Sequence, residues 1–473
     1  MPFLRAHKIE ICIFLLALVV RLLYFGLSYS AHDGNLVAAI NAGDSYYDIG
    51  QNIIADNGYS AVQEPPYVLT SYRTPGMPFF IAWVYFLFGS YLAVIILQIV
   101  LGSIVPLLGM KIARFIVEKK TISVAVGIFL ALEPTGVLLS TVLLSETVFA
   151  FLFALSLICL FHYWNDKTQI PLLASAFLLG IATLTRPSVE YLPVIIVAVI
   201  LWEARKRLSW TVIKHIGLYV FVFLTTLSPW LYRNYQEFGV LGLSSQQGAA
   251  LYSIMVPSVL AIENGTDFSQ EYNTEIAGPN ETNFSQSSEY SALALPILIS
   301  HPRGLALLSL NTGVSFFIYD GVYDVLHHIK LDNGMFDLLN RLKLDSGIPP
   351  GAPTFLSLLS APFALWHFFF SLLTTPFVFV LLGRLAWLFI TLAFLIGVWH
   401  IGRTKRQHIY ALTAASIVAY LMLTTLVVGM TVNYRYRFPV NAIIFTFAAY
   451  GVTASAPWLL KKFRILAHKN KTL

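Results

Sequence analysis

Long apolar runs separated by short polar turns set the rhythm of this chain, and two polar intervals break it. A run of roughly 20 apolar residues suits a membrane-crossing helix. The pattern predicts such helices near 9–29, 91–113, 121–139, 141–163, 170–185, 188–203, 212–231, 377–400, 408–430 and 437–459. Two more apolar stretches, 303–319 and 354–374, are long enough to span or to lie on the surface, and 77–88 is a short lead into the second helix. The run 9–29 is too long for a signal-peptide core and reads as a retained helix. The expectation is an all-α polytopic membrane protein with about 10–12 transmembrane helices. No repeat or separate soluble unit is visible, so residues 1–473 read as a single integral-membrane domain.

The polar intervals are 30–76 and about 232–376. In the first, Tyr46, Ile49 and Ile53 recur at helical spacing after Asp44, and Gly58 offers a stop. A short amphipathic helix over Ser45–Asn57, lying along the membrane surface, is predicted. In the second, 262–289 is rich in Asn, Ser, Thr, Gln and Glu and reads as a loop. Its sequons at Asn264, Asn280 and Asn283 agree with an outer location without showing glycosylation.

Composition sharpens the membrane reading. The chain is 57% hydrophobic and 11% charged, with mean hydropathy +0.72, where soluble domains carry about 25% charged residues. The net charge of +6 is explained by position. Lysines and arginines crowd the connections near 5–8, 111–120, 167, 205–214, 403–406 and 461–471. These are alternate connections, so this face is cytoplasmic, as are both termini. The long polar intervals then lie outside the cytoplasmic membrane, and no nucleic-acid partner is needed to account for the charge.

The outer helix ends collect charged residues. Asp44 and Arg73 lie in the first interval; Glu133 precedes Pro134; Glu146 lies within the apolar run Val137 to Phe161, near its outer end; Arg186 precedes Pro187; Arg233 follows Trp230 and Tyr232; Arg435 and Arg437 alternate with tyrosines before Pro439. A charge in the bilayer centre costs about 3 kcal/mol or more, so intramembrane charges seek partners or water. Carboxylates and guanidiniums gathered at one membrane face suit an anionic, lipid-anchored substrate, and arginine forks suit phosphate. Each residue also has a plainer use. An aspartate at position 44 could cap a helix, Arg73 could snorkel, Arg186 could mark a helix boundary, and the tyrosines fit an aromatic belt. Arg21 and Arg384 fall nearer helix interiors and receive no role, and the adjacent His327 and His328 read as surface residues. No Walker loop, HExxH or GxSxG occurs.

With these residues in order, the chain resembles the GT-C class of integral-membrane glycosyltransferases that use polyprenyl-phosphate sugars. Within that class it is similar to bacterial relatives of protein O-mannosyltransferases and lipid A aminoarabinose transferases. The resemblance rests on Asp44-Ser-Tyr-Tyr-Asp, Arg73-Thr-Pro-Gly-Met-Pro, Glu133-Pro134, Leu144-Ser145-Glu146, Thr185-Arg186-Pro187, Pro229 through Asn234, and Arg435-Tyr436-Arg437-Phe438-Pro439. It covers roughly 9–235 and the last motif, and it weakens over about 240–375. The family often has two adjacent acids in the first loop; here Ser45 follows Asp44 and the next acid is Asp48.

The resemblance implies a GT-C-like bundle and an inverting transfer from a polyprenyl-phosphate sugar to a hydroxyl on a glycan, lipid or protein, at the outer face, in envelope modification. It implies Asp44 and Glu146 as catalytic residues. It implies Tyr47, Arg73, Glu133, Arg186, Arg233, Arg435 and Arg437 as contacts to the lipid phosphate and sugar. Metal use differs within the class, and a divalent cation would find only hard oxygen ligands here. A transporter or flippase of a lipid-linked or anionic solute, and a polymerase of diphosphate-linked glycans, are the competing readings.

Overall fold

The computed structural model describes residues 7–206, 208–266, 268–275, 283–332, 334–345, 377–402, 408–429 and 433–469, with single residues between 366 and 375. Among them the protein is all-α and polytopic; the nearest approach to a strand is one bridge between Ser60 and Leu69. Among the described residues, eight helices are long and apolar enough to cross a membrane. They include Lys8–Ala31, Tyr91–Ile116, Glu146–Asp166, Trp210–Phe238 and Val378–Ile401. Gly76–Phe88, Lys120–Leu132 and Gln169–Thr185 are shorter apolar helices packed among them. The expected segment 354–374 falls almost entirely outside the described residues.

Three departures from the hydropathy pattern matter. The run expected over 121–139 breaks into Lys120–Leu132 and Pro134–Leu139. Pro134 lacks an N–H and forces its predecessor out of the helical region, and Glu133 is extended at φ −62°, ψ 120°. The next run becomes helical only at Glu146, because Ser140 and Thr141 turn back onto the carbonyls of Val137 and Leu138. The apolar stretch 303–319 is half of a bent pair, Phe284–Ser300 and Pro302–Ile318, crossing at 99°. Part of the expected loop 262–289 is thus helix: Asn283 begins Phe284–Ser300 with a reciprocal capping box to Gln286.

Irregular backbone inside a membrane bundle needs internal partners, and this chain supplies them. Gln98 Nε2 donates to the Leu139 and Val142 carbonyls, and Leu143 N–H donates to Ile40. Arg21, 1% exposed, donates to Leu130 and Ala131, the carbonyls left open where Lys120–Leu132 stops. Arg437 does the same for Phe316 and Phe317 at the end of Pro302–Ile318 and lies on the Trp387 ring. Both arginines serve as helix ends made of side chain.

The first polar interval is fastened down. Tyr46–Ile54 is the predicted amphipathic helix, with Tyr46 and Ile49 buried, and it packs on Gly76–Phe88. Asn52 bonds the carbonyls of Ser60 and Val62, Tyr59 bonds that of Arg73, and Arg233 bonds that of Thr70.

Candidate active site

Asp44 sits between two left-handed residues, Gly43 at φ +74° and Ser45 at φ +60°. The helix cap is Ser45, and its side chain makes no cap bond. The Asp44 carboxylate is turned elsewhere: Oδ2 accepts from Arg435 Nη2 at 2.6 Å, and Oδ1 lies 3.5 Å from Arg73 Nη2. Glu146, completely buried at the start of its helix, accepts from Arg186 Nη1 at 2.7 Å and from Arg435 Nε. Arg435 is therefore the bridge, one guanidinium shared by two carboxylates that lie far apart in sequence.

Aromatic rings and one hydroxyl complete the arrangement. The Arg73 guanidinium stacks over Tyr46 and Tyr72, each at 5.0 Å, and Arg186 lies 4.5 Å over Tyr436. Tyr46 donates to Ser145 Oγ at 3.3 Å, and Arg186 reaches the same oxygen at 3.5 Å. Burial alone would lower the Arg73 pKa, but Tyr46, Asp44 and Tyr72 together raise it, so its charge is secure. The side chain of Asp44 keeps 26% of its surface, against 0% for Glu146. Asp44 is the more accessible of the two carboxylates, and Glu146 is the buried counter-charge to Arg186 and Arg435.

Five of the expected residues thus meet: Asp44, Arg73, Glu146, Arg186 and Arg435. Four go elsewhere. Tyr47 turns to Tyr91, with ring centroids 5.0 Å apart. Glu133 caps its own short helix through Gly136 N–H at 2.7 Å. Arg233 bonds Thr70 and Asn234 and stacks on Tyr59, Trp230 and Phe238, which secures the first interval from behind. Arg437 is consumed in the core as described. Tyr46, Ser145 and Tyr436 belong to the group without having been singled out. The signal for each was adjacency to a charged residue already flagged, and adjacency alone does not say which neighbour faces inward. Asp48 lies half-buried on the same helix as Tyr47, and burial raises its pKa; it makes no ion pair among the described residues. His328, expected at the surface, is half-buried, bonding Ser28 and stacking on Tyr24, whereas His327 is exposed.

The two sides of the site are joined at Gly76. A Cβ there would stand 2.6 Å from Thr185 Cα and 2.8 Å from Thr185 N, while Thr74 Oγ1 donates to the Thr185 carbonyl at 3.2 Å. This contact sets the distance between Arg73 and Arg186. Gly76→Ala must part the two backbones. We expect it to lower thermal stability by about 1–3 kcal/mol and activity by about tenfold or more, as read by a melting curve and a turnover assay on the same preparation.

Between Tyr46–Ile54 and Gly76–Phe88, Ile53, Phe79, Phe80, Ala82, Trp83 and Phe86 line an open apolar pocket of about 540 Å³. Phe79, Trp83 and Phe86 are exposed on one side of Gly76–Phe88, as expected of a lipid-facing surface. No group of metal-ligating side chains occurs among the described residues.

Residues 72–232 match the family model described as dolichyl-phosphate-mannose-protein mannosyltransferase. The matched stretch takes in Arg73, Glu133, Glu146 and Arg186; Asp44 and Arg435 lie outside it. The chain resembles that family, and the match indicates a glycosyltransferase set in a bundle of membrane helices. No curated protein matches the chain.

Proposed function

We propose that the protein transfers a sugar from a polyprenyl-phosphate carrier to an acceptor hydroxyl, with inversion, at the extracytoplasmic face of the membrane. The observation that carries this reading is the Asp44–Arg435–Glu146 bridge flanked by Arg73 and Arg186. The group holds three guanidiniums against two carboxylates, an excess of one positive charge. The phosphodiester of a lipid-linked sugar carries one negative charge and fits that excess.

The charges also balance through the reaction. Asp44 takes the proton of the acceptor hydroxyl as its oxygen attacks the anomeric carbon. The bond from that carbon to the phosphate oxygen breaks, and the lipid phosphate gains a second negative charge. Asp44, now neutral, releases part of its hold on Arg435 and Arg73 just as the phosphate needs them. Positive groups already in place where charge develops stabilise the transition state without rearranging. Glu146 keeps Arg186 and Arg435 aimed, and the apolar pocket beside Tyr46–Ile54 offers the lipid tail a place next to its head group. Arg73, Arg186 and Arg435 are assigned to the phosphate; Tyr47, Glu133, Arg233 and Arg437 support the walls of the site.

The test is transfer by the purified protein in lipid. A sugar on a polyprenyl monophosphate should be consumed when an acceptor extract from a bacterial envelope is supplied, and the product anomer should be inverted. Consumption of diphosphate-linked donors alone, or movement of the lipid across the bilayer with no sugar released, would overturn the proposal.

A further inference from the structure

Arg73 is the loosely held member of the three arginines. Arg186 and Arg435 each have a carboxylate oxygen within 2.7 Å, whereas Asp44 Oδ1 lies 3.5 Å from Arg73. Arg73 Nε is buried without a hydrogen-bond partner among the described residues. What fixes this guanidinium is a pair of rings, Tyr46 and Tyr72, each with its centroid 5.0 Å away. Tyr46 is tied down by its hydroxyl on Ser145. Tyr72 is set by its backbone.

The chain from Thr70 to Arg73 lies outside any helix, so its carbonyls need partners from elsewhere. Each has one: Arg233 donates to Thr70, the Ser245 N–H to Ser71, Ser244 Oγ to Tyr72, and the Tyr59 hydroxyl to Arg73. On the other side of the Tyr72 Cα, the Tyr72 N–H donates to Thr70 Oγ1 at 3.0 Å. With both peptide planes fixed, the bond that carries the Tyr72 ring has one direction. Ser244 comes from beyond the stretch that the family model matches, in a segment that is itself held in place. Asn234 Nδ2 donates to the Gly242 carbonyl at 2.7 Å and Trp230 Nε1 to that of Leu243 at 2.9 Å. The Gly248 N–H donates to Ser287 Oγ at 3.0 Å, and the Gln246 N–H to Ser244 Oγ at 3.1 Å. Ser244 Oγ thus accepts from its own segment and gives its one proton to Tyr72.

We propose that Ser244 is a positioning residue for sugar transfer: its hydroxyl fixes the Tyr72 carbonyl, and with it the ring that, together with Tyr46, aims the Arg73 guanidinium at the donor phosphate. The kinetic part rests on the transferase reading, and the placement of Arg73 does not. Without the hydroxyl, the peptide after Tyr72 loses its donor and is free to turn. Arg73 has no close ion pair to hold it against that turn.

Two readouts test this. A proton held over aromatic rings resonates upfield. The Arg73 Nε–H signal, identified by its absence in Arg73→Lys, should therefore lie upfield of free arginine in the wild type. Ser244→Ala should move it toward the free position. Ser244→Thr keeps the hydroxyl, on a half-buried residue with room for a methyl, and should leave the signal in place. In transfer assays, Ser244→Ala should lower kcat/KM for the donor about tenfold with the acceptor KM unchanged, and Ser244→Thr should restore it. In an Arg73→Lys background the alanine substitution should cost little more. If the wild type moves no sugar, the transferase reading falls and the arginine signal alone decides the positioning role. A wild-type signal at the free position overturns the proposal, as does one that Ser244→Ala leaves in place, or a full additional loss in the Arg73→Lys background. Ser244→Cys, similar in shape and a weaker donor, replaces an alanine variant that does not fold. If neither folds, the hydroxyl only supports the fold and the proposal is overturned.

Discussion

Asp44→Asn should fold normally and lose about 10³-fold in kcat, within the 10²–10⁴ range of general-base effects. The substitution separates the two uses of an aspartate at this place. Asparagine caps helices as well as aspartate does, so a capping role predicts undiminished transfer. A proton-accepting role predicts its loss. The structure already directs the carboxylate to Arg73 and Arg435 and leaves the cap to Ser45. The donor KM gives a second check. Removing one negative charge leaves Arg73 and Arg435 with more positive charge free, so an anionic donor should bind as tightly or more tightly. Low kcat with unchanged or lower KM is the expected pair of results from steady-state transfer assays. Full transfer by a folded Asp44→Asn protein would remove the base assignment.

Glu146→Gln should be the more damaging change for the fold. The carboxylate is wholly buried and answers both Arg186 and Arg435. Breaking a buried ion pair from one side leaves an uncompensated charge and costs roughly 3–5 kcal/mol. Removing Arg186 as well should restore part of that loss, because the charge left unpaired goes with it. The double variant Glu146→Gln/Arg186→Gln should therefore melt above Glu146→Gln alone, while transfer stays below detection in both. Melting in detergent and a transfer assay in lipid read the two effects separately. Recovery of transfer in the double variant would show that the pair only supports the fold.

These residues were visible in the sequence for one reason: a charge at the edge of an apolar run is costly unless something answers it. That reasoning found Glu146 and Arg186 and marked the whole Arg435–Arg437 motif. It could not tell Arg435 from Arg437. The two stand two residues apart on the short helix Asn433–Arg437, and one enters the site while the other closes the end of Pro302–Ile318. Tyr46 and Tyr47 pose the same difficulty, since neighbours on a helix point about 100° apart. The left-handed turn at Ser45 decides which faces the arginines, and nothing about the word Ser45 announces that turn. The bundle itself was legible through hydropathy, and its errors came where polar backbone is satisfied inside the bundle. Thr141 to Ser145 read as membrane helix because the residues around them are apolar, and the Gln98 side chain that accommodates the break is distant in sequence.

The span of the Arg435 bridge has a consequence for biosynthesis. Its two carboxylates precede it by 391 and 289 residues. Asp44 therefore emerges and waits in water for most of translation, which a partly exposed group in a polar interval tolerates. Glu146 cannot wait in the same way, because its helix enters the bilayer. Its first partner comes from the next hairpin, where Gln169–Thr185 folds back against Glu146–Asp166 and delivers Arg186. The membrane thus receives a neutral pair early, and the remaining arginine arrives among the last helices. A nascent chain stopped before residue 433 would be insertable but inert, so the activity reports that the carboxy-terminal helices have been made and have docked.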